Sequence, residues 1–194
     1  MIHNPSVARK AQEQLDAVLG QQRLPNHDDR DSLPYIDAIF REDMRWRPPV
    51  PLGIPHVSAE DDIYQGFFIR QGSIVIANVR AMAHDAEKYP DPEKFKPERF
   101  LDESGHLTED EMAYTFGFGR RICPGRYVAD ATVWLAIAAI LTTFDIGPGV
   151  DEAGNAVAVA DDDYTDGVIV HPKPFRSSLT PRPSKALRFL EDSL

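Results

Sequence analysis

The sequence predicts a mainly α-helical fold with small β-sheets, of the α+β class, and three observations predict it. Apolar residues recur at helical spacing in two segments near the start of the chain. A longer and more continuous helical pattern runs from Arg126 to Phe144. Between them lie short runs of β-formers punctuated by glycine. No internal repeat or linker divides the 194 residues, which suffice for one domain with a sizeable core.

Asn4 is placed to cap a first helix with Pro5 at its first position. Val7, Ala8, Ala11, Leu15, Val18 and Leu19 then form one face, and Gly20 is a natural stop. Residues 21–31 are polar and read as a loop. A second helix is predicted from about Ser32, with Pro34 in its first turn and Tyr35, Ile36, Ile39, Phe40 and Met44 as its stripe. Pro48 and Pro49 end it. Strands are predicted over 54–58, 63–69 and 73–79, with Gly66 and Gly72 supplying turns, then a short helix over 81–88. Residues 89–102 form a proline-rich meander, and the tail holds weak strands at 156–159 and 168–171.

The composition excludes several classes of function. Apolar residues make up 42% and charged residues 27%, an ordinary globular balance. A net charge of −10 argues against nucleic acid as a partner, and Asp161, Asp162, Asp163 and Asp166 read as a solvated loop. One cysteine excludes a disulfide framework and a multi-cysteine zinc site, and fits a reducing compartment. Residues 1–5 form no signal peptide or anchor. Residues 128–144 contain Asp130 and fall short of the about 20 apolar residues a membrane span needs, so they read as a buried core helix. The chain itself is therefore expected to be soluble and cytoplasmic.

That lone cysteine, Cys123, sits in the run Phe116-Gly117-Phe118-Gly119-Arg120-Arg121-Ile122-Cys123-Pro124-Gly125, directly before the longest helix. A metal ligand must be a thiolate, and its charge is favoured by backbone N–H groups of a glycine-rich turn and by the N-terminal dipole of the helix that follows. Gly119 and Gly125 open backbone geometries closed to other residues and allow a flat group to approach. Phe116 is placed to keep water from the sulfur, and the planar fork of Arg121 suits a carboxylate. Ile122 occupies the place of the third glycine of a dinucleotide loop, so that alternative fails.

The loop resembles the haem-ligand loop of the cytochrome P450 family, Phe-x-x-Gly-x-Arg-x-Cys-x-Gly, at every specified position. Glu42 and Arg45, three apart on the second helix, resemble the family's Glu-x-x-Arg motif, and Pro97-Glu98-Arg99-Phe100 resembles its Pro-Glu-Arg-Phe meander. The general look of Leu33-Pro34-Tyr35 and Gly53-Ile54-Pro55-His56 is similar to fungal members. The resemblance covers essentially the whole chain but only the later part of a typical member. It implies the carboxyl-terminal, haem-binding portion of a single cytochrome P450 domain over residues 1–194.

It further implies haem b as cofactor, with Cys123 as axial thiolate ligand. Phe116, Gly119, Arg121, Gly125 and His56 would contact the haem, Arg121 and His56 through its propionates. Glu42, Arg45 and Arg99 would form a buried network bracing the proximal side. Val50, Leu52, Gly53 and Ile54 would line a substrate pocket, with Gly167 and Val168 among residues 166–169. The implied activity is monooxygenation of a small organic substrate with O2, using electrons from NADPH through a cytochrome P450 reductase. Arg120, Arg121 and Arg126 would offer that acidic flavoprotein a basic face. Alternatives are a haem-thiolate isomerase or dehydratase needing no reductase, and a truncated remnant without catalysis. An intact member would lie on the cytosolic face of the endoplasmic reticulum membrane. The distal helix that relays protons and the membrane anchor are expected to be absent from this chain, leaving it poorly stable by itself.

Overall fold

The structure is a computed structural model, and it describes residues 1–20 and 23–182. Helix α1 (Pro5–Leu19) opens with proline at its first position, and Gly20 closes it in the left-handed conformation at φ 59. The Asn4 carbonyl accepts the Val7 and Ala8 N–H groups, while its side chain makes no cap. Val7, Ala8, Ala11, Leu15 and Leu19 are buried, and Val18, at 37% exposure, lies off the stripe.

Within the stretch read as a loop, residues His27–Ser32 form a 3-10 turn. A reciprocal cap starts it: Asp28 N–H donates to the Asn26 side chain at 2.8 Å, and Asn26 N–H donates to Asp29 at 2.9 Å. Ser32 belongs to this turn, so α2 (Pro34–Trp46) begins two residues later than expected. It buries Tyr35, Ile36, Ile39 and Phe40 as the spacing predicts, with Ala38, Glu42 and Arg45.

Among the described residues the strands form three two-stranded antiparallel sheets. Strands β1 (His56–Val57) and β4 (Ile74–Val75) pair, enclosing the hairpin of β2 (Asp62–Tyr64) and β3 (Phe67–Ile69). The predicted run 63–69 is this hairpin rather than one strand. Gln65 and Gly66, at φ 49 and 84, both lie in the left-handed region that a tight two-residue turn requires. Helix α3 (Val79–Ala83) starts earlier and is shorter than predicted, because the Asn78 side chain caps Ala81 N–H.

Helix α4 (Arg126–Thr143) packs Trp134, Ala138 and Leu141 against α1 and α2 in the main core. By length and composition it is the one helix among the described residues long and apolar enough to cross a membrane. Only its inner side is buried: Tyr127, Val128 and Ile140 are exposed, which corrects the expectation of a fully buried helix. Asp130 is tolerated in this apolar segment because it pairs with Arg30, whose Nε also meets Asp37 at 2.6 Å.

Strand β5 (Phe144–Pro148) continues directly from α4 and pairs with β6 (Ser177–Pro181), from Phe144 opposite Pro181 to Pro148 opposite Ser177. The strands expected at 156–159 and 168–171 do not form; those stretches hold only the bridge Val150 to Ala156 and the nearby bridge Tyr164 to Pro172. The partner of β5 lies later in the chain because Arg182 fixes it there. Its guanidinium meets Asp16 at 2.6 and 3.0 Å, and its N–H donates to the Thr143 carbonyl.

A second core of Ala38, Ala83, Tyr89, Phe100 and Met112 lies under the meander. Leu15→Ala is expected to cost about 2–5 kcal/mol, whereas Val18→Ala stays within about 0.5 kcal/mol. Denaturant midpoints of the two variants check whether the stripe is the core.

Candidate functional site

Residues drawn from two distant segments meet at Glu42. Its side chain and that of Arg45 are wholly buried. Arg45 grips the carboxylate in bidentate fashion, Nε to Oε2 at 2.7 Å and Nη2 to Oε1 at 2.8 Å. The backbone N–H of Lys96 donates to Oε1 at 2.7 Å. Arg99 Nε lies 3.1 Å from Oε2, an ion-pair contact whose angle falls short of a hydrogen bond. Arg99 also donates to the Pro90 carbonyl at 3.0 Å, and Arg45 to the Ala83 carbonyl at 2.9 Å. The meander is thereby fastened to α2 and to the end of α3.

The cysteine loop is built from two 3-10 turns, Ala113–Phe116 and Gly119–Arg121. Cys123 N–H donates to the Phe116 carbonyl at 2.8 Å, closing the loop on itself. Gly119 has φ 55, the left-handed geometry expected of it. Gly117, at φ 90 and ψ −166, is the more demanding position; it was missed, although the alternating Phe-Gly-Phe-Gly run signals it.

Gly125 corrects a specific expectation. Its φ of −86 is open to any residue, so backbone freedom does not explain it. What glycine supplies there is room beside the sulfur: a Cβ would stand in van der Waals contact with Cys123 Sγ, at 3.8 Å. Helix α4 then begins at Arg126, whose N–H donates to the Cys123 carbonyl at 3.3 Å.

Cys123 is partly exposed and free. Arg120 and Arg121 beside it are exposed and form no side-chain hydrogen bond or ion pair among the described residues. Arg126 differs: it bonds the Cys123 carbonyl and the Tyr127 hydroxyl, and its guanidinium lies 4.1 Å from the Tyr127 ring centre. Phe116 is half-buried and, with Ile122, Arg30, Phe40 and Tyr127, lines an open cleft of ≈ 650 Å³. Sequence reasoning missed that cleft, because Arg30 joins it only through folding.

His56 is exposed on β1 opposite Val75, with no side-chain partner among the described residues. The two segments expected to line a pocket adjoin at their flanks, where Val170 N–H donates to the Pro49 carbonyl at 2.8 Å, but neither lines the cleft at Phe116. Val50 is half-buried, while Leu52, Ile54 and Val168 are exposed. Gly53 at φ 61 and Gly167 at φ 133 both need glycine.

The donor set suits one kind of metal group. Among the described residues no three His, Cys, Asp or Glu side chains converge to hold a bare ion. A partly exposed thiol, a glycine beside it, and two guanidinium groups with no partner among the described residues instead fit a planar, pre-assembled group bearing carboxylates. Glu42→Gln is expected to cost about 3–5 kcal/mol, since it leaves two guanidinium groups buried against a neutral side chain. Chemical denaturation compared with an exposed control such as Glu60→Gln checks it.

The comparisons with known proteins agree with this geometry. The family model described as Cytochrome P450 matches residues 1–176. Cytochrome P450 monooxygenase 176 of Postia placenta is 48% identical, over 97% of this chain and 36% of its own length. Cytochrome P450 monooxygenase claR of Ampulloclitocybe clavipes is 44% identical, over 96% of this chain and 35% of its own length. A cytochrome P450 monooxygenase of Armillaria gallica is 45% identical, over 98% of this chain and 39% of its own length. The chain thus spans little more than a third of the length of the curated relatives it matches. With that match running from Met1 through the cysteine loop and the ion network, the chain belongs to the cytochrome P450 family.

Proposed function

We propose that residues 1–194 are the carboxyl-terminal portion of a single haem-thiolate monooxygenase domain, which as a family-length protein hydroxylates a small organic substrate with O2. The observation that carries the reading is Cys123: a partly exposed thiol in a loop closed by its own N–H bond to the Phe116 carbonyl, near Arg121, which has no side-chain partner among the described residues. Cys123 would hold the iron of haem b as its thiolate ligand. Bound in that way, the haem supplies the dioxygen cleavage that hydroxylation needs.

This chain's residues supply the setting. The Arg121 fork would hold one propionate, and His56 would meet a propionate from the sheet side. Phe116 would keep water from the sulfur, and the turn around Gly119 would hold the loop in register. Glu42, Arg45 and Arg99 would brace the loop from below by fixing the meander that precedes it. Val50, Leu52, Gly53, Ile54, Gly167 and Val168 would shape the substrate side. Exposed Arg120 and Arg121 suit docking of an acidic NADPH-dependent reductase, at the cytosolic face of the endoplasmic reticulum membrane. The relatives are named monooxygenases, which favours hydroxylation over a reductase-free isomerisation or dehydration.

The test is reconstitution of the chain with hemin, followed by reduction and carbon monoxide. A strongly red-shifted Soret band is expected, lost in Cys123→Ala; identical spectra for both proteins would refute the ligand assignment. Arg121→Ala is expected to keep the band while holding haem about tenfold more weakly, as the loss of a charge-assisted pair implies. Transfer of hemin to apomyoglobin measures that loss.

A further inference from the structure

The second core holds oxidisable groups that the proposed chemistry does not use. Tyr89, at the start of the meander, is buried, and its hydroxyl donates to Asp110 Oδ2 at 2.5 Å. The hydroxyl of Tyr114 lies 3.4 Å from the Tyr89 oxygen. Met112 Sδ lies 3.2 Å from the first hydroxyl and 3.5 Å from the second. Tyr114 sits in the same 3-10 turn as Phe116, whose carbonyl accepts the Cys123 N–H. One phenol has a carboxylate base in contact, and the other stands in the turn that holds the candidate ligand loop.

We propose that Tyr89 and Tyr114 form a proton-coupled redox pair with Asp110 as its built-in base, which accepts an oxidising equivalent from the cysteine-loop site. The step balances as follows. Tyr89 gives one electron to a one-electron oxidant and its hydroxyl proton to the Asp110 carboxylate, leaving a neutral phenoxyl radical and a neutral carboxyl. The phenoxyl oxygen then accepts a hydrogen bond from Tyr114, and transfer of that proton with an electron moves the radical to Tyr114 while restoring the Tyr89 phenol. A soluble one-electron reductant, such as ascorbate or a thiol, returns the electron to Tyr114; the Tyr89 hydroxyl passes its proton to Tyr114, and Asp110 returns the proton it holds to Tyr89.

The surroundings support this assignment. Burial, and then the neighbouring carboxylate, raises the pKa of Tyr89, so it stays a phenol and must lose a proton when oxidised. Burial works against the charge of Asp110, but hydrogen bonds from Tyr89, Lys88 and the Met112 N–H outweigh it and hold the carboxyl below its usual range. The base is therefore ionised and ready at neutral pH. Lys88 pairs with Asp110 at 2.9 Å and lies over both rings, and Arg45 lies 5.5 Å from the Tyr89 ring centre. These two cations penalise a charged radical and favour one that has shed its proton. Buried Tyr35 also donates to a carboxylate, Glu98 at 2.8 Å, but no second phenol lies against its hydroxyl among the described residues; exposed Tyr64 and Tyr127 have no carboxylate on theirs.

As an oxidant source in the cell, the cysteine-loop site rests on the haem-thiolate reading, but the pair is testable without haem. Flash-generated tris(bipyridine)ruthenium(III) is mixed with the 194-residue chain, and the tyrosyl radical is followed by transient absorption and electron paramagnetic resonance. In a chain carrying Tyr35→Phe, which removes the other buried phenol held by a carboxylate, the radical is expected to form at a rate independent of buffer-base concentration and of pH across the neutral range. Asp110→Asn should slow it and make it depend on buffer base, Tyr89→Phe should abolish that fast phase, and Tyr64→Phe should leave it intact. In the Tyr35→Phe chain a rate that rises with buffer base overturns the proposal, as does a fast phase left unchanged when Tyr89→Phe is added. That measurement decides even if Asp110→Asn fails to fold. Loss of the carbon monoxide band with an intact fast phase would count against the haem reading alone.

Discussion

A carboxylate removed from water stays charged only if donors surround it, and at Glu42 those donors come from segments more than 50 residues apart in sequence. The need to satisfy one anion therefore dictates the path of the whole meander. Lys96 must offer its backbone N–H, Arg99 must turn inward, and Arg45 must face the same oxygens from one turn along α2. Each guanidinium then spends its remaining N–H groups on carbonyls of Ala83, Pro90, Asp91 and Lys94. These are main-chain groups that an irregular segment would otherwise leave unsatisfied. The network is thus both a cost and a scaffold: it needs the meander, and the meander has little regular structure of its own.

The PERF turn shows how the same residues serve two sides. Arg99 points to Glu42, while its neighbour Glu98 accepts from Tyr35 at 2.8 Å and from Lys10 at 3.1 Å. Phe100 fills the second core between them, 6.3 Å from the Tyr89 ring. Successive side chains of one short turn thereby bind α1, α2 and the loop region together. The cysteine loop, which follows in sequence, inherits a foundation fixed on three sides.

What the sequence made legible follows from how local each signal is. The limits of α1 were readable because Pro5 and Gly20 act on their own backbone, and the α2 stripe because its spacing is fixed by helical geometry. The contact of Glu42 with Arg99 was reached through motifs, since nothing local relates two residues so far apart. The partner of β5 was not legible. Its selection depends on Arg182 reaching Asp16 and on Gly149, where a Cβ would stand 2.6 Å from that of Arg176. Gly125 was legible as a glycine but not for its reason, because only the folded loop shows which atom its missing side chain would touch. The half-exposed face of α4 was hidden for a related cause: composition reports how apolar a helix is, not which neighbours it has.

The pairing of β5 with β6 has a consequence for how such a protein diversifies. The chain leaves this sheet at Gly149 and returns at Arg176, and the Gly149 N–H donates to the Arg176 carbonyl at 3.1 Å. Everything between is an excursion anchored at a closed neck. The entropy of closing such a loop grows only slowly, by about 0.6 kcal/mol for each doubling of its length. Val170, which donates its N–H to the Pro49 carbonyl, rides on this excursion just after residues 166–169, whereas the cysteine loop lies upstream of the neck. Changes of length within the excursion therefore leave the neck, and the cysteine loop upstream of it, in place.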